Sequence, residues 1–76
     1  MTINQPQVGQ IIRDLRLALG LTQEQYAATL GVTYTTINRW ENGRSKPSPL
    51  AMEKIEGMLE KMGAPGQDLL AKYLSN

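Results

Sequence analysis

Residues 23–42, QEQYAATLGVTYTTINRWEN, contain the pattern that most restricts how this chain can fold. Two helix-start signals lie close together. Thr22 and Gln25 fit a capping box, in which each side chain satisfies a backbone N–H near the other, and Thr33 fits a second N-cap. Between them, Gly31 can adopt the left-handed conformation that ends a helix. The sequence therefore predicts two short helices, over about 23–30 and from Thr33 to the Asn42-Gly43 pair, joined by one tight turn.

The side chains of this stretch also suit a close crossing of the two helices. Ala27 is small where the second helix must cross the first, and Val32, Ile37 and Trp40 supply an apolar inner face. A small residue, a glycine and apolar residues at these offsets predict a helix-turn-helix. The β-branched run beside Tyr34 is poor for an isolated helix, so its exposed face is expected to serve something other than stability.

The rest of the chain predicts three more helices and no strand. The first is expected over 6–19, with Pro6 at its first position and Gly20 after its end. The fourth begins at the Ser48 cap and ends near Gly63, and a last helix follows within 64–76. The predicted fold class is all-α, a compact five-helix domain over 1–76 with its core in 6–62. The apolar stripe of the first helix consists of Val8, Ile11, Ile12, Leu15 and Leu19. That of the fourth helix consists of Leu50, Ile55, Met58, Leu59 and Met62.

Composition argues against several classes of protein. The chain has neither cysteine nor histidine, which removes disulfides, thiolate metal sites and the usual general base. The carboxylates of Glu53, Glu56 and Glu60 are expected to form a solvated face. We therefore expect no enzyme, no metal and no cofactor. Without an apolar run of about 20 residues a membrane span is not expected, and a cytoplasmic location is the default. The net charge of +1 means that any surface for nucleic acid must be basic locally.

Four places in the sequence carry a family resemblance. These are LTQ at 21–23, LGV at 30–32, INRWENGR at 37–44, and Pro47. They resemble the phage repressor/Cro-type helix-turn-helix family. This family is common among bacterial transcription regulators and antitoxins, and the resemblance covers residues 8–62. It implies that helix 3 enters the major groove of double-stranded DNA. It also implies a partly buried ion pair between Arg16 and Glu41. The residues implied in DNA contact are Gln23, Thr33, Tyr34, Thr35, Asn38 and Arg39 on the helices, and Asn42, Arg44 and Lys46 in the loop.

Side-chain chemistry agrees with this assignment. Arg39 can donate two hydrogen bonds to guanine O6 and N7, and Asn38 could pair with adenine in the same way. Several relatives have glutamines where this chain has Tyr34 and Thr35, so the bases contacted do not transfer. Arg13 is left between a solvated charge and a phosphate contact.

Three functions remain open at this stage. The leading one is a transcription regulator that binds a palindromic site as a homodimer. The second is an antitoxin-type regulator that also binds a protein partner, and the third is a protein-interaction module in which the helix-turn-helix is only structural. The last helix could form the dimer interface or complete the monomer core. Its candidate residues are Leu69, Leu70, Tyr73 and Leu74.

Overall fold

Five α-helices make up the fold, and the part of the chain that the computed structural model describes, residues 7–74, contains no strand. The all-α prediction is therefore confirmed. No helix within these residues is long and apolar enough to cross a membrane. The helices are α1 Gln7–Ala18, α2 Gln23–Leu30, α3 Tyr34–Glu41, α4 Pro49–Lys61 and α5 Ala64–Leu74.

Local hydrogen bonds fix the start of α2 and of α3. The Thr22 hydroxyl accepts from the backbone N–H of Gln25 at 3.1 Å, and the Gln25 side chain accepts from the Thr22 N–H at 3.0 Å. The Thr33 hydroxyl caps α3 in the same way, at 3.2 Å from the Thr36 nitrogen. Between the helices Gly31 has φ 72°, and the next N–H, of Val32, returns to the Ala27 carbonyl at 2.9 Å. This turn sets the angle at which α3 leaves α2.

One continuous core lies between the helices. Trp40 is 4% exposed and belongs to this core, as its spacing from Ile37 indicates. Every helix contributes to the core, with α5 supplying partly buried side chains at its edge. The buried apolar residues are Val8, Ile11, Ile12, Leu15, Tyr26, Ala27, Leu30, Ile37, Trp40, Ala51, Ile55 and Leu59.

Two residues assigned to apolar stripes are exposed instead, so those assignments are wrong. Leu19 is 39% exposed because α1 ends at Ala18 and the chain turns away. Leu50 is 62% exposed because the buried side of α4 passes through Ala51 and Ile55. Leu50 lies one position before Ala51 and therefore points away from that side. The predicted helix position of Pro6 lies outside the described residues.

Glycines allow two close helix contacts. A Cβ on Gly9 of α1 would collide with the Trp40 carbonyl of α3, and a Cβ on Gly66 of α5 would collide with the Leu59 carbonyl of α4. The backbones can approach this closely only because no side chain intervenes. Gly9 thus helps to place α3 on α1, and Gly66 places α5 on α4.

The α5 helix packs against other helices of the same chain. Leu69 and Leu70 are half-buried against the core, and Lys72 Nζ lies 3.5 Å from Asp14 Oδ2 of α1. Of the two roles considered for this helix, completing the monomer core therefore fits Leu69 and Leu70. The side chains of Tyr73 and Leu74 lie outside the described residues.

Candidate nucleic-acid interface

The α3 helix divides sharply into a buried and an exposed side. Ile37, Trp40 and Glu41 are buried, and Arg39 lies on the opposite, exposed side. At the amino-terminal end, Tyr34 is 50% exposed and Thr35 is exposed as well. The exposed surface of α3 therefore carries aromatic and hydroxyl groups at its start and a guanidinium group in its last turn.

Thr33 and Asn38, two further predicted DNA contacts, are partly engaged within the protein. The Thr33 hydroxyl caps α3 and also lies 2.9 Å from the Thr36 hydroxyl. Asn38 is half-buried beside α2. Both residues lie on the candidate face, but their polar groups already have partners in the protein.

The loop after α3 carries basic side chains at the edge of this face. Asn42, Arg44 and Lys46 are exposed. Gly43 has φ 72°, and the Arg44 N–H donates to the Arg39 carbonyl at 2.8 Å, so the loop turns tightly at the helix end. Three cations, those of Arg39, Arg44 and Lys46, thus follow one another along the chain within eight residues.

A bidentate ion pair joins α1 to the end of α3. Arg16 Nε lies 2.7 Å from Glu41 Oε2, and Arg16 Nη2 lies 3.1 Å from Glu41 Oε1. The Glu41 side chain is 0% exposed and that of Arg16 is 14% exposed, so the pair is largely shielded from water. Arg16 Nη1 also donates to the Leu21 carbonyl at 3.0 Å, which ties the α1–α2 turn to the same pair.

The environment of this pair shifts the pKa of both partners. Burial alone would raise the pKa of Glu41, but hydrogen bonds from Arg16 and Gln23 outweigh it, and the pKa lies below its usual value. The hydrogen bond to Glu41 raises the pKa of Arg16. Both groups are therefore charged at neutral pH, and Glu41 does not offset the cations of the loop because its charge is matched by Arg16.

Two further side chains reach the same carboxylate, and sequence reasoning missed both contacts. Gln23 Nε2 donates to Glu41 Oε1 at 3.0 Å, and Arg13 Nε lies 3.5 Å from that oxygen. The Arg13 side chain remains 47% exposed. One signal for Arg13 was present, since residues three apart share a helix face and Arg13 precedes Arg16 by three. The contact of Gln23 depends on how α2 crosses α3 and has no local signal.

Comparison with known proteins places this geometry in a family. A family model described as helix-turn-helix matches residues 12–61. An uncharacterized HTH-type transcriptional regulator, RghRB of Bacillus subtilis (strain 168), is 38% identical over 64 residues, which cover 83% of this chain and 44% of the relative. An uncharacterized HTH-type transcriptional regulator of Methanothermobacter thermautotrophicus is 47% identical over 45 residues, which cover 59% of this chain and 65% of the relative.

The chain thus spans less than two thirds of the length of either relative. No solved structure matches it significantly. The family model covers both helices of the motif, the turn between them, and the Arg16–Glu41 pair that holds α3 on α1. The chain belongs to the phage repressor/Cro-type helix-turn-helix family.

Proposed function

We propose that this chain binds specific sequences of double-stranded DNA through the major groove and regulates transcription. The observation that carries this proposal is the division of α3. Its buried side and the Arg16–Glu41 pair hold it on the scaffold, and its other side presents Tyr34, Thr35 and Arg39 to solvent. A helix held in this way can enter a groove without being reorganised. The names of both relatives as transcriptional regulators support the same function.

Each exposed group has a chemical role in this proposal. The Arg39 guanidinium can donate two parallel hydrogen bonds to guanine, a contact worth about 1–3 kcal/mol of discrimination. Tyr34 and Thr35 can contact a thymine methyl or a phosphate oxygen. Arg44 and Lys46 neutralise phosphates and position the domain without specifying bases. Asn42, Gln23 and Thr33 supply further polar contacts at the rim.

A homodimer on a palindromic site is part of this proposal. One small domain contacts few base pairs, whereas two copies about 34 Å apart would contact successive turns of one DNA face. Leu69 and Leu70 pack against the core of their own subunit. The dimer would therefore need a surface other than those two side chains. Selected DNA with two inverted half-sites would support the dimer, and a single half-site would count against it.

Titration of fluorescent duplexes with variants at Arg39, Arg44 and Lys46 tests the division of roles. We expect Arg39→Ala to reduce discrimination at one base pair by about fivefold or more. Arg44→Ala and Lys46→Ala should weaken binding to all duplexes alike, and each should reduce the slope of log K against log salt by about 0.9.

Lys61→Ala is the matched control for these variants. Lys61 is exposed at the last residue of α4, and a 13-residue helix is about 20 Å long, so its charge lies far from the basic loop at the other end. We expect its removal to leave both specificity and salt slope unchanged. An Arg39→Ala protein with unaltered base preference, or binding by wild type that does not weaken with salt, would contradict the proposed function.

A further inference from the structure

Three carboxamide side chains form a continuous chain of hydrogen bonds that ends on the buried carboxylate of Glu41. Asn42 Nδ2 donates to Asn38 Oδ1 at 3.2 Å, Asn38 Nδ2 donates to Gln23 Oε1 at 3.5 Å, and Gln23 Nε2 donates to Glu41 Oε1 at 3.0 Å. Asn42 Nδ2 also donates to the backbone carbonyl of Asn38 at 2.8 Å. We call Asn42, Asn38 and Gln23 the amide relay.

The buried charge sets the orientation of every amide in the relay. An ionised carboxylate can only accept hydrogen bonds, so Gln23 must turn its nitrogen toward Glu41. Its oxygen then faces α3 and requires a donor, which fixes the nitrogen of Asn38 toward Gln23. The oxygen of Asn38 is left to accept from Asn42. Reversing any one amide would place two donors or two acceptors against each other.

This arrangement bears on what Asn38 can do at DNA. Pairing with adenine requires an amide nitrogen and an amide oxygen that both face the base edge. In the relay Gln23 and Asn42 hold the two polar atoms of the half-buried Asn38, so its amide plane is fixed within the protein and can turn toward a base edge only by breaking these bonds. Its neighbour Arg39 has neither constraint, since it is exposed and none of the hydrogen bonds among the described residues 7–74 involves its side chain.

Gln23 retains a donor for a partner. A carboxamide nitrogen carries two hydrogens, and only one is directed at Glu41. If Gln23 donates the second to a DNA phosphate, the direction of that bond is determined by its two protein partners, Glu41 and Asn38. The position of Asn38 would then affect binding to every sequence alike, because phosphates are the same at every base pair.

We propose that Asn38 is a positioning residue, which orients the Gln23 amide for a phosphate contact, and that it does not specify a base. This rests on the proposed function of DNA binding. It changes the assignment of specificity within α3, because discrimination falls to Arg39 and to the exposed end at Tyr34 and Thr35. Asn42 orients Asn38 from the other side and belongs to the same positioning unit.

The proposal is tested by measuring binding to one preferred duplex and to its complete set of single-base substitutions. The proteins compared are wild type, Asn38→Ala, Gln23→Ala and the double variant. We expect Asn38→Ala to weaken binding by about two- to tenfold on all duplexes, the range of one ordinary hydrogen bond, with base preference retained. In the Gln23→Ala background the same change should alter affinity by less than about twofold, since the amide that Asn38 orients is gone. Arg39→Ala is the comparison for a base-contacting residue and should lose preference at one position.

Two results would overturn the proposal. One is a loss of about fivefold or more in discrimination at a single base pair on Asn38→Ala. The other is a loss on Asn38→Ala that is equally large with and without Gln23. Circular dichroism of each variant verifies that it is folded. The near-isosteric Asn38→Leu, which removes the donor to Gln23 without adding a charge, should reproduce the uniform loss.

A measurement without DNA separates this proposal from the function on which it rests. In the free protein, Asn38→Leu, which adds no charge, should shift the side-chain NH2 resonances of Gln23 in a ¹H–¹⁵N spectrum. Thr35→Ala, at an exposed position of the same helix, should not. Unshifted Gln23 resonances would overturn the relay even if wild type binds DNA. Shifted resonances together with no binding of wild type to any duplex would mean that the proposed function has failed while the relay is real.

Discussion

Replacing Arg16 with methionine removes the charge that compensates the buried carboxylate of Glu41 while keeping a long apolar side chain in α1. The variant loses the two hydrogen bonds at 2.7 and 3.1 Å and the bond to the Leu21 carbonyl. Glu41, 0% exposed at its side chain, then keeps two partners among the described residues, Gln23 at 3.0 Å and Arg13 at 3.5 Å. The consequence should be a large loss of stability, since the carboxylate cannot reach water.

The magnitude follows from the geometry of the pair. Removing one partner of a buried ion pair costs about 3–5 kcal/mol. Here Arg13 can move toward the vacated place, and Arg16 was itself 14% exposed, so we expect about 2–3 kcal/mol. A domain of this length has about 4–11 kcal/mol in total. The melting temperature should fall by roughly 10–20 °C, and urea unfolding followed by circular dichroism measures the free energy of unfolding directly.

The pH dependence gives a second, independent signature. In wild type the pKa of Glu41 is lowered, so the contribution of the pair is complete above the unfolded value of about 4.3 and is lost as pH falls through the folded pKa. In Arg16→Met the burial that raises the pKa is opposed only by Gln23 and Arg13, so protonation relieves the buried charge. The stability difference between the two proteins should therefore shrink between pH 7 and pH 4.

The control is Arg39→Met, which makes the same replacement at an exposed position of α3 and should change stability by less than about 0.5 kcal/mol. A loss below about 1 kcal/mol for Arg16→Met at pH 7, or a difference from wild type that is constant with pH, would refute this account of the pair.

Further predictions concern the helix contacts and one buried hydroxyl. Gly9→Ala should lower the free energy of unfolding by about 1–3 kcal/mol because its methyl group would meet the backbone of α3. Gly57→Ala should raise it by about 0.5–1 kcal/mol, because a Cβ at this position inside α4 would meet no atom of another described element within 4 Å. Equal effects of the two changes in thermal melts would contradict the close contact at Gly9. Gly66→Ala should speed amide hydrogen exchange in α5 selectively because it pushes that helix from α4, and uniform protection would argue against this packing. The pKa of Tyr26 is raised by burial and by the nearby Glu41, and its hydroxyl has no hydrogen-bond partner among the described residues. Tyr26→Phe should therefore leave the free energy of unfolding unchanged or raise it. A loss above about 1 kcal/mol in urea unfolding would show that the hydroxyl is satisfied.

Features that depend on local chemistry could be predicted from the sequence. The capping box at Thr22 and Gln25 and the left-handed turn at Gly31 involve residues within a few positions of each other, and the structure contains both. The bounds of α2 follow from them. The burial of Ile37 and Trp40 followed from helical spacing.

Features that depend on how the helices meet could not be predicted. Leu19 and Leu50 fit the apolar pattern, but a pattern does not indicate where a helix end leaves its last side chain. The collisions avoided at Gly9 and Gly66 become visible only when two backbones are placed together. Within the candidate site, the resemblance implied the Arg16–Glu41 pair, whereas the amide relay depends on the crossing of α2 and α3.

Selection of bound duplexes from a random pool tests the central claim, that α3 contacts specific bases in the major groove, most directly. Wild type and Arg39→Ala would be taken through the same rounds, and the enriched sequences compared position by position. We predict an enriched motif for wild type and the loss of preference at one base pair, where guanine is required, for Arg39→Ala. No enriched motif for wild type, or an identical motif for both proteins, would contradict the account.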